Sequence, residues 1–204
     1  MSQIDDIAAA GRLKPGFAAP VFDSQSSFRA LLDAMSYPAR IHALDIAIDA
    51  PPPLGPATTL LALTLFDFDT VVWLDGAAAA AEVPDYLKFH CGCPITAQPV
   101  EAQFGLVADP AAMPVLDSFA IGEDRYPDRS ATIIIQVPSL TDGPETTWTG
   151  PGIRSPFKVR IAGLPEGFWA QWAGNAELYP LGVDLVFVCG HEIVGLPRGV
   201  TVEV

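Results

Sequence analysis

Residues 131–137 are Ala-Thr-Ile-Ile-Ile-Gln-Val, and this run decides the fold class. Three consecutive isoleucines leave neither side of a strand polar, which is typical of a strand buried on both faces of a sheet. A second run, Val-Asp-Leu-Val-Phe-Val at 183–188, is followed by Cys189-Gly190-His191 and another apolar run at 192–196, which predicts a hairpin. Helical patterns alternate with strands along the chain, so the sequence predicts an α/β fold.

The first clear helix is predicted to begin near Asp23 or Ser24, since either side chain can cap it. It should end at Tyr37, because the residue before a proline avoids the α region. The helix carries one apolar stripe of the kind that packs on a core. The stripe consists of Phe28, Leu31, Leu32 and Met35.

Weaker patterns place the remaining elements. We expect strands within 40–48, 70–74, 100–107, 146–149 and 158–161, and helices within 57–66, 84–90, 110–119 and 165–174. Pro51-Pro52-Pro53 is a stiff connector, but the 50 residues before it are too few for an independent core. We therefore expect a partly ordered arm at 1–16 and a single α/β domain at 17–204.

The composition excludes several classes of protein. Half of the 204 residues are apolar and 17% are charged, against about 25% charged in an ordinary soluble domain, so the chain is not disordered. A net charge of −13 opposes nucleic-acid binding. A membrane-spanning helix needs about 20 apolar residues in a row, and Asp67 and Asp69 interrupt the longest apolar region, 58–74. The high apolar content therefore indicates either a large core or a surface that is partly buried against another chain.

The N-terminal residues lack a basic region and a continuous apolar stretch, so we expect no secretory signal. Three cysteines do not make a disulfide framework, which predicts a cytoplasmic protein with reduced thiols. His90-Cys91-Gly92-Cys93, with Cys189 and His191, could supply zinc ligands or a cysteine nucleophile with a histidine base. These spacings are not those of usual zinc sites, and buried free cysteines are common, so we expect no metal site.

A glycine-rich turn at Thr149-Gly150-Pro151-Gly152 could cradle a phosphate, with Arg154 and Lys158 close enough to add charge. It lacks the P-loop lysine, and a strand rather than a helix is predicted to follow it. A structural turn is therefore favoured. Basic residues are so few that Arg29 and Arg198 are also candidates for an anion site, although surface ion pairs are the commoner role.

The three lysines bear on cofactor chemistry, because a pyridoxal phosphate enzyme needs a Schiff-base lysine. Lys14, Lys88 and Lys158 carry no recognisable cofactor motif. Asp67, Asp69 and Asp75 do not have the spacing of a calcium loop and are expected to bracket a buried strand. Residue chemistry alone thus stops at an α/β domain with an unusually apolar composition.

Four groups of segments, in this order and spacing, resemble the PhnH family, subunits of the bacterial carbon–phosphorus lyase system. The first two are Phe17-Ala-Ala-Pro-Val-Phe-Asp-Ser-Gln with Phe28-Arg-Ala-Leu-Leu-Asp-Ala-Met35, and Leu63-Thr-Leu-Phe-Asp-Phe-Asp-Thr-Val-Val-Trp-Leu74 with Leu87-Lys-Phe-His90. The others are Ile133-Ile-Ile-Gln-Val-Pro-Ser-Leu140 with Thr149-Gly-Pro-Gly-Ile153, and Tyr179-Pro-Leu-Gly-Val-Asp-Leu185 with Gly195-Leu-Pro-Arg198 and the Val-Glu-Val tail. The resemblance spans residues 16–204.

The resemblance implies a mixed central sheet flanked by helices, like the fold of pyridoxal phosphate-dependent transferases but without the cofactor. It also implies a homodimer that joins the G, I and J subunits in the core complex of carbon–phosphorus (C–P) lyase, in the cytoplasm. The complex acts in organic phosphonate catabolism, where its transferase step forms alpha-D-ribose 1-methylphosphonate 5-triphosphate from ATP and methylphosphonate. This subunit would support that step as an accessory, and we expect it to have no catalytic centre of its own.

The resemblance supplies no catalytic residue. The candidates for a residual ligand site are the polar residues and one glycine that fall in the matching motifs: Arg29, His90, Thr149, Gly150, Asp184 and Arg198. Cys91 and Cys93 lie just past one motif and receive no role. The alternative is a stand-alone enzyme or binding protein for a phosphorylated sugar or nucleotide, which would use the Gly-Pro-Gly turn and nearby arginines. A third possibility is an active pyridoxal phosphate enzyme, which would be coloured.

Overall fold

The computed structural model describes residues 13–80 and 82–204. The α-helices are α1 (Pro20–Ser36), α2 (Pro56–Leu65), α3 (Gly76–Ala79), α4 (Val83–His90) and α5 (Phe168–Glu177). The strands are β1 (His42–Ala43), β2 (Val72–Leu74), β3 (Ile95–Thr96), β4 (Phe104–Val107), β5 (Ile121–Glu123), β6 (Tyr126–Ser130), β7 (Thr132–Gln136), β8 (Glu145–Thr149), β9 (Phe157–Arg160), β10 (Asp184–Cys189), β11 (Glu192–Leu196) and β12 (Thr201–Glu203).

Strand β7 lies at the centre of a seven-stranded sheet with the order β1-β11-β10-β7-β4-β2-β3. The neighbours from β10 to β3 are parallel, and β11 and β1 extend the sheet with antiparallel pairing. The predicted hairpin is confirmed, since β10 and β11 pair Leu185 with Leu196 and Cys189 with Glu192. The α/β class and the mixed central sheet flanked by helices are also confirmed.

The isoleucine run occupies the place that its composition predicts. Ile133, Ile134 and Ile135 are each fully buried. Ile134 packs in a core with residues of α1, α2 and α4, whereas Ile133 and Ile135 pack in a second core on the other face of the sheet. Apolar side chains on both faces of one strand therefore hold together two layers.

The second core lies between the large sheet, α5 and a three-stranded sheet with the order β12-β8-β9. Trp148 of β8 and Trp172 of α5 are fully buried in it. The indole N–H of Trp148 donates to Thr146 Oγ1 at 2.9 Å, and that of Trp172 donates to the Val200 carbonyl at 3.0 Å. Both large side chains are thus buried with their only polar group satisfied.

Helix α1 begins three residues earlier than the first predicted cap, at Pro20. Proline is well suited to the first helical position because its missing N–H needs no partner there. The Asp23 carboxylate accepts the N–H of Ala19 at 2.8 Å, so it supports the helix start from inside the first turns rather than as the cap.

The predicted apolar stripe of α1 is confirmed only in part, because Leu31 is buried and Met35 packs partly buried against the core. The buried residues of the helix are Ser27, Leu31 and Ala34, whereas Phe28 and Leu32 are 50% and 53% exposed. The reason is the close approach of α1 to β11. A Cβ atom built on Gly195 of β11 would lie only 2.5 Å from the Ala34 carbonyl oxygen, so α1 packs on this strand through Ala34, and Phe28 and Leu32 are left exposed.

Other elements differ from the prediction in extent. Only His42–Ala43 of the predicted strand at 40–48 is paired, and the predicted helix at 110–119 is instead two short 3-10 turns. Helix α5 begins at Phe168 rather than Pro165, after Gly167 with a φ of +76°. The β5–β6 hairpin and β12 were not predicted at all.

Most of the predicted arm at 1–16 lies outside the described residues. Across the two described ranges, no helix combines the length and the apolar character needed to cross a membrane.

Candidate functional site

Four of the six candidate residues come together at one end of the large sheet. Asp184 opens β10, and Arg198 follows the end of β11 by two residues, so the hairpin register sets them side by side. Strand β12 then pairs with β8, where Thr201 lies opposite Thr149 and brings Gly150 to the same end. The connection between the last three strands therefore assembles Thr149, Gly150, Asp184 and Arg198.

Of these four residues, Asp184 and Arg198 line a cavity of about 670 Å³ that we call the Arg198 cleft, whereas Thr149 and Gly150 do not line it. Its walls include Asp184, Arg198, the turn at Pro151-Gly152 and the exposed Tyr179. The end of α1 closes one side through Met35 and Ser36. The volume is within the range of small-molecule sites, so the chemistry of the lining decides whether the cleft can bind a ligand.

Arg198 is engaged by the protein itself. Its Nε donates to Asp184 Oδ1 at 3.1 Å, its Nη2 donates to Asp184 Oδ2, and its Nη1 donates to the Pro127 carbonyl at 2.9 Å. The backbone N–H of Arg198 also donates to Asp184 Oδ1 at 2.8 Å. Both side chains are about one-sixth exposed. This two-pronged ion pair connects β6, β10 and the loop after β11, so its role here is structural.

The glycine-rich turn serves close packing. Gly150 and Gly152 have φ values of +142° and +83°, which favour glycine. A Cβ on Gly152 would lie 2.4 Å from the Ser36 carbonyl oxygen, and one on Gly150 would lie 2.9 Å from that of Gly199. Strand β9 follows the turn. The turn therefore lacks the helix N-terminus that phosphate loops use.

Arg29 and His90 lie away from the Arg198 cleft. Arg29 is exposed on α1. His90 ends α4 and lines a second, open cavity of about 800 Å³, which we call the His90 cavity. Its Nε2 lies 3.0 Å from the Lys14 carbonyl, and because a carbonyl only accepts, the ring proton is on Nε2. The Tyr86 hydroxyl donates to the Pro15 carbonyl at 3.1 Å, so the two rings together hold the segment before α1.

The cysteines are not arranged for nucleophilic or metal chemistry. Burial raises the pKa of Cys91 to about 12, with a smaller contribution from Cys93, and burial also raises the pKa of Cys93. Both side chains are therefore thiols at neutral pH, whereas the nucleophilic form of cysteine is the thiolate. The Cys189 Sγ donates to the Pro138 carbonyl, and within residues 13–80 and 82–204 no cluster of three metal-ligating side chains is found.

The lysines do not fit a Schiff-base site. Lys14 forms an ion pair with Asp49 at 2.9 Å, and Lys158 forms one with Glu145 at 2.5 Å. Lys88 is exposed on α4. None of the three is a buried amine.

Sequence reasoning missed two surface features. The first is an exposed apolar face of α1, which we call the α1 face; it consists of Val21, Phe22, Phe28 and Leu32. The second is a group of basic residues beside β9. The alternation Phe157-Lys-Val-Arg160 was a signal for the second, because it puts both cations on one face of a strand.

Comparisons with known proteins bear on the whole chain. Residues 15–203 match the family described as bacterial phosphonate metabolism protein (PhnH). The alpha-D-ribose 1-methylphosphonate 5-triphosphate synthase subunit PhnH of Rhizobium meliloti (strain 1021) is 40% identical over 187 residues, which cover 92% of this chain and 94% of that protein. HtxG of Stutzerimonas stutzeri, provisionally named as a C-P lyase subunit, is 29% identical over 174 residues, covering 85% and 83%. The chain belongs to the PhnH family.

Proposed function

We propose that the chain is an accessory subunit of a C–P lyase complex in organic phosphonate catabolism. It would support formation of alpha-D-ribose 1-methylphosphonate 5-triphosphate from ATP and methylphosphonate. The observation that carries the proposal is the end-to-end match to the Rhizobium meliloti protein, whose name makes it a subunit of that synthase. End-to-end similarity supports a shared place in an assembly better than a match to one motif.

The geometry of the candidate residues supports an accessory role. Arg198 is bound to Asp184 and Pro127, and Cys91 is a thiol at neutral pH. A nucleophile held against a general base would indicate a catalytic centre, and the described residues discussed above offer none. The chain would therefore contribute binding surface, and other subunits would contribute the chemistry.

The α1 face supports burial against another chain. Val21 and Phe22 are 78% and 72% exposed, and Phe28 and Leu32 lie on the same helix at about half exposure. Large exposed apolar patches are uncommon on monomers and mark interaction sites. The composition of half apolar and 17% charged residues agrees with a surface that is partly covered in an assembly.

The finer parts of the proposal come from the family resemblance. We propose one PhnH-like domain at 17–204, a homodimer, and association with the G, I and J subunits in the cytoplasm. We also propose that the fold is that of a pyridoxal phosphate-dependent transferase that has lost its cofactor. The mixed sheet with a parallel centre is compatible with this, and so are three lysines that do not suit a Schiff base.

Co-expression with the G, I and J subunits tests the proposal. We expect the chain to co-purify with them and to elute as one complex. Light scattering of the isolated chain at micromolar concentration should give a dimer. Failure of this chain to enter the complex, while the other three subunits assemble normally, would contradict the proposal. A monomer would contradict the homodimer alone.

Calorimetry separates this function from the stand-alone alternative. We expect no saturable micromolar binding of ATP, methylphosphonate or ribose phosphates to the isolated protein, because its net charge of −13 repels polyphosphates. Micromolar binding would support a phosphosugar or nucleotide protein. Arg198→Ala cannot locate such a ligand by itself, since Arg198 holds the fold; Tyr179→Ala at the exposed wall of the cleft can.

A further inference from the structure

Three of the eleven basic residues of the chain line one groove on the surface. The groove has a volume of about 370 Å³ and lies between β9 and residues 39–41. Arg40, Lys158 and Arg160 contribute its charge, and its apolar lining includes Leu140, Val159 and Val194. We call this cavity the basic groove. In a chain with a net charge of −13, such a concentration of cations is unusual.

The charges of the basic groove are only partly balanced. Glu145 of β8 binds Lys158 with Oε1 at 2.5 Å and Arg160 with Oε2 at 2.7 Å. Arg40 lies over the Tyr37 ring at 5.6 Å and forms no ion pair within the described residues. Asp142, beside the groove, binds the Ser139 hydroxyl at 3.0 Å. One carboxylate therefore serves two of the three cations, and the groove keeps a positive charge.

Strand β9 presents an open edge to the same groove. It is the outer strand of the order β12-β8-β9, and Phe157, Lys158 and Arg160 are exposed along it. In the part of the chain that the structure describes, no further strand pairs with β9 beyond β8. Its unpaired backbone groups can accept another strand.

The existing neighbour of β9 shows which side chains suit that strand. In the β8–β9 ladder Glu145 lies opposite Arg160, and Thr147 lies opposite Lys158. Lys158 and Arg160 are two residues apart, about 7 Å along one face of the strand. An incoming strand with a carboxylate at the matching position would repeat on the open side of β9 the contacts that Glu145 makes on the paired side.

We propose that the basic groove receives an extended acidic segment of another subunit, which pairs with β9 as an additional strand. This inference rests on the proposed function, since it needs a partner subunit. Charge complementarity selects an acidic segment, and the apolar lining with the half-exposed Phe157 favours a partner strand that alternates acidic and apolar residues. Charged residues can also merely protect an edge strand from pairing, and the experiment separates these two roles.

The experiment is amide hydrogen exchange of residues 157–160 in the isolated chain and in the complex co-expressed with the G, I and J subunits. We expect exchange at these residues to slow at least about tenfold in the complex, because strand pairing protects edge amides. Unchanged exchange at 157–160 in an assembled complex would overturn the inference and leave the proposed function intact. Failure of the unmodified chain to enter the complex would instead count against the proposed function.

Charge-reversal variants provide a second test of the inference. Arg40→Glu changes a cation that is not bound to Glu145, so we expect it to leave folding intact and to weaken incorporation about tenfold or more at moderate salt. The matched control is Arg129→Glu, an exposed cation that lies over the Tyr126 ring at 4.1 Å on β6. Equal incorporation of both variants would overturn the inference. Protection of 157–160 that is already present in a dimer of the isolated chain, and lost on dilution, would identify a second copy as the occupant and also overturn it.

Discussion

The Arg198 cleft and the α1 face differ in how far the protein satisfies its own groups. At the cleft, a carboxylate and a carbonyl of the same chain bind all three guanidinium nitrogens of Arg198. At the α1 face, four large apolar side chains project with half or more of their area exposed. Asp184 and Arg198, which the sequence suggests as ligand-binding residues, thus stabilise the fold. The apolar residues of the α1 face, which the sequence suggests as core, are instead exposed and available to bind another chain.

The largest expected effect on stability concerns the ion pair between Asp184 and Arg198 in the Arg198 cleft. Asp184→Ala should lower the free energy of unfolding by about 3 kcal/mol, because it leaves the largely buried Arg198 without its counter-charge. Chemical denaturation measures this change. Arg154→Ala removes an exposed arginine and should cost less than about 0.5 kcal/mol.

If Asp184→Ala lowers the free energy of unfolding by less than about 1 kcal/mol, the ion pair contributes little to the fold. The Arg198 cleft would then not differ from the α1 face in the way described. The Arg198 guanidinium would then be available to an anion, and the stand-alone ligand-binding function would gain support. The double variant Asp184→Ala/Arg198→Ala should cost less than the sum of the single changes, since neither charge is left alone in it.

Two adjacent leucines sharpen the comparison within α1. Leu31 is 9% exposed and Leu32 is 53% exposed. Leu31→Ala should cost about 2–3 kcal/mol of stability through lost packing. Leu32→Ala should change stability by less than about 0.5 kcal/mol but reduce incorporation into the complex. Denaturation curves and co-purification, measured on both variants, check the two halves of this prediction.

If Leu32→Ala enters the complex as well as the unmodified chain, the α1 face is a surface without a partner. If it instead unfolds as readily as Leu31→Ala, the burial pattern of α1 differs from the one described. Phe28→Ala provides a second measurement on the same face, because its side chain is half exposed as well.

The sequence predicts the parts of the fold that follow from local composition. The isoleucine run at 133–135 and the hairpin over 189–191 lie where expected, because an unbroken apolar strand and a Cys-Gly-His turn each need only nearby residues. The buried side of α1 could not be predicted, since it depends on Gly195, which lies more than 150 residues away. Apolar character alone correctly selects Leu31 and Met35, but it also selects Phe28 and Leu32, which are exposed.

In the candidate site, too, the residues could be predicted from local sequence, but their contacts could not. Asp184 and Arg198 could each be singled out from their motifs, but their mutual binding follows from the register of the hairpin. Asp75 likewise brackets a strand as expected, and its carboxylate accepts the N–H groups of Ala78, Ala108 and Asp109. Those last two bonds join parallel strands, which no local pattern shows.

Gly195→Ala tests whether the close packing of α1 on β11 sets which side of the helix is buried. The added methyl group would lie 2.5 Å from the Ala34 carbonyl oxygen, so α1 must shift, at an expected cost of about 2 kcal/mol. Gly199→Ala is the control, because its nearest neighbour would be at 3.6 Å, an ordinary contact. Thermal unfolding of both variants gives the comparison. Equal melting temperatures would mean that close packing on β11 does not set the rotation of α1.

The smallest expected effect on stability is the pH dependence due to Glu145. The hydrogen bond from Lys158 lowers the pKa of this carboxyl below its usual value near 4.5, with help from Arg160. A group whose pKa is lower in the folded state stabilises the fold above its unfolded pKa. That stabilisation is lost as the pH falls through the folded pKa. The difference in stability between the unmodified chain and Glu145→Gln should therefore be present at pH 7 and disappear in acid, once the pH falls below the lowered pKa of Glu145 in the folded state.

Glu145→Gln is expected to weaken the fold slightly but to strengthen association with the complex. Glu145→Gln removes the carboxylate that balances Lys158 and Arg160, so the basic groove becomes more positive while the fold becomes slightly weaker. If an acidic strand binds β9, incorporation at pH 7 and low salt should increase, and added salt should remove the gain. If the cations only protect the strand edge, incorporation should stay unchanged or fall with stability. Because stability and association change with opposite signs only when a partner strand binds, this one substitution separates a docking surface from a protected edge.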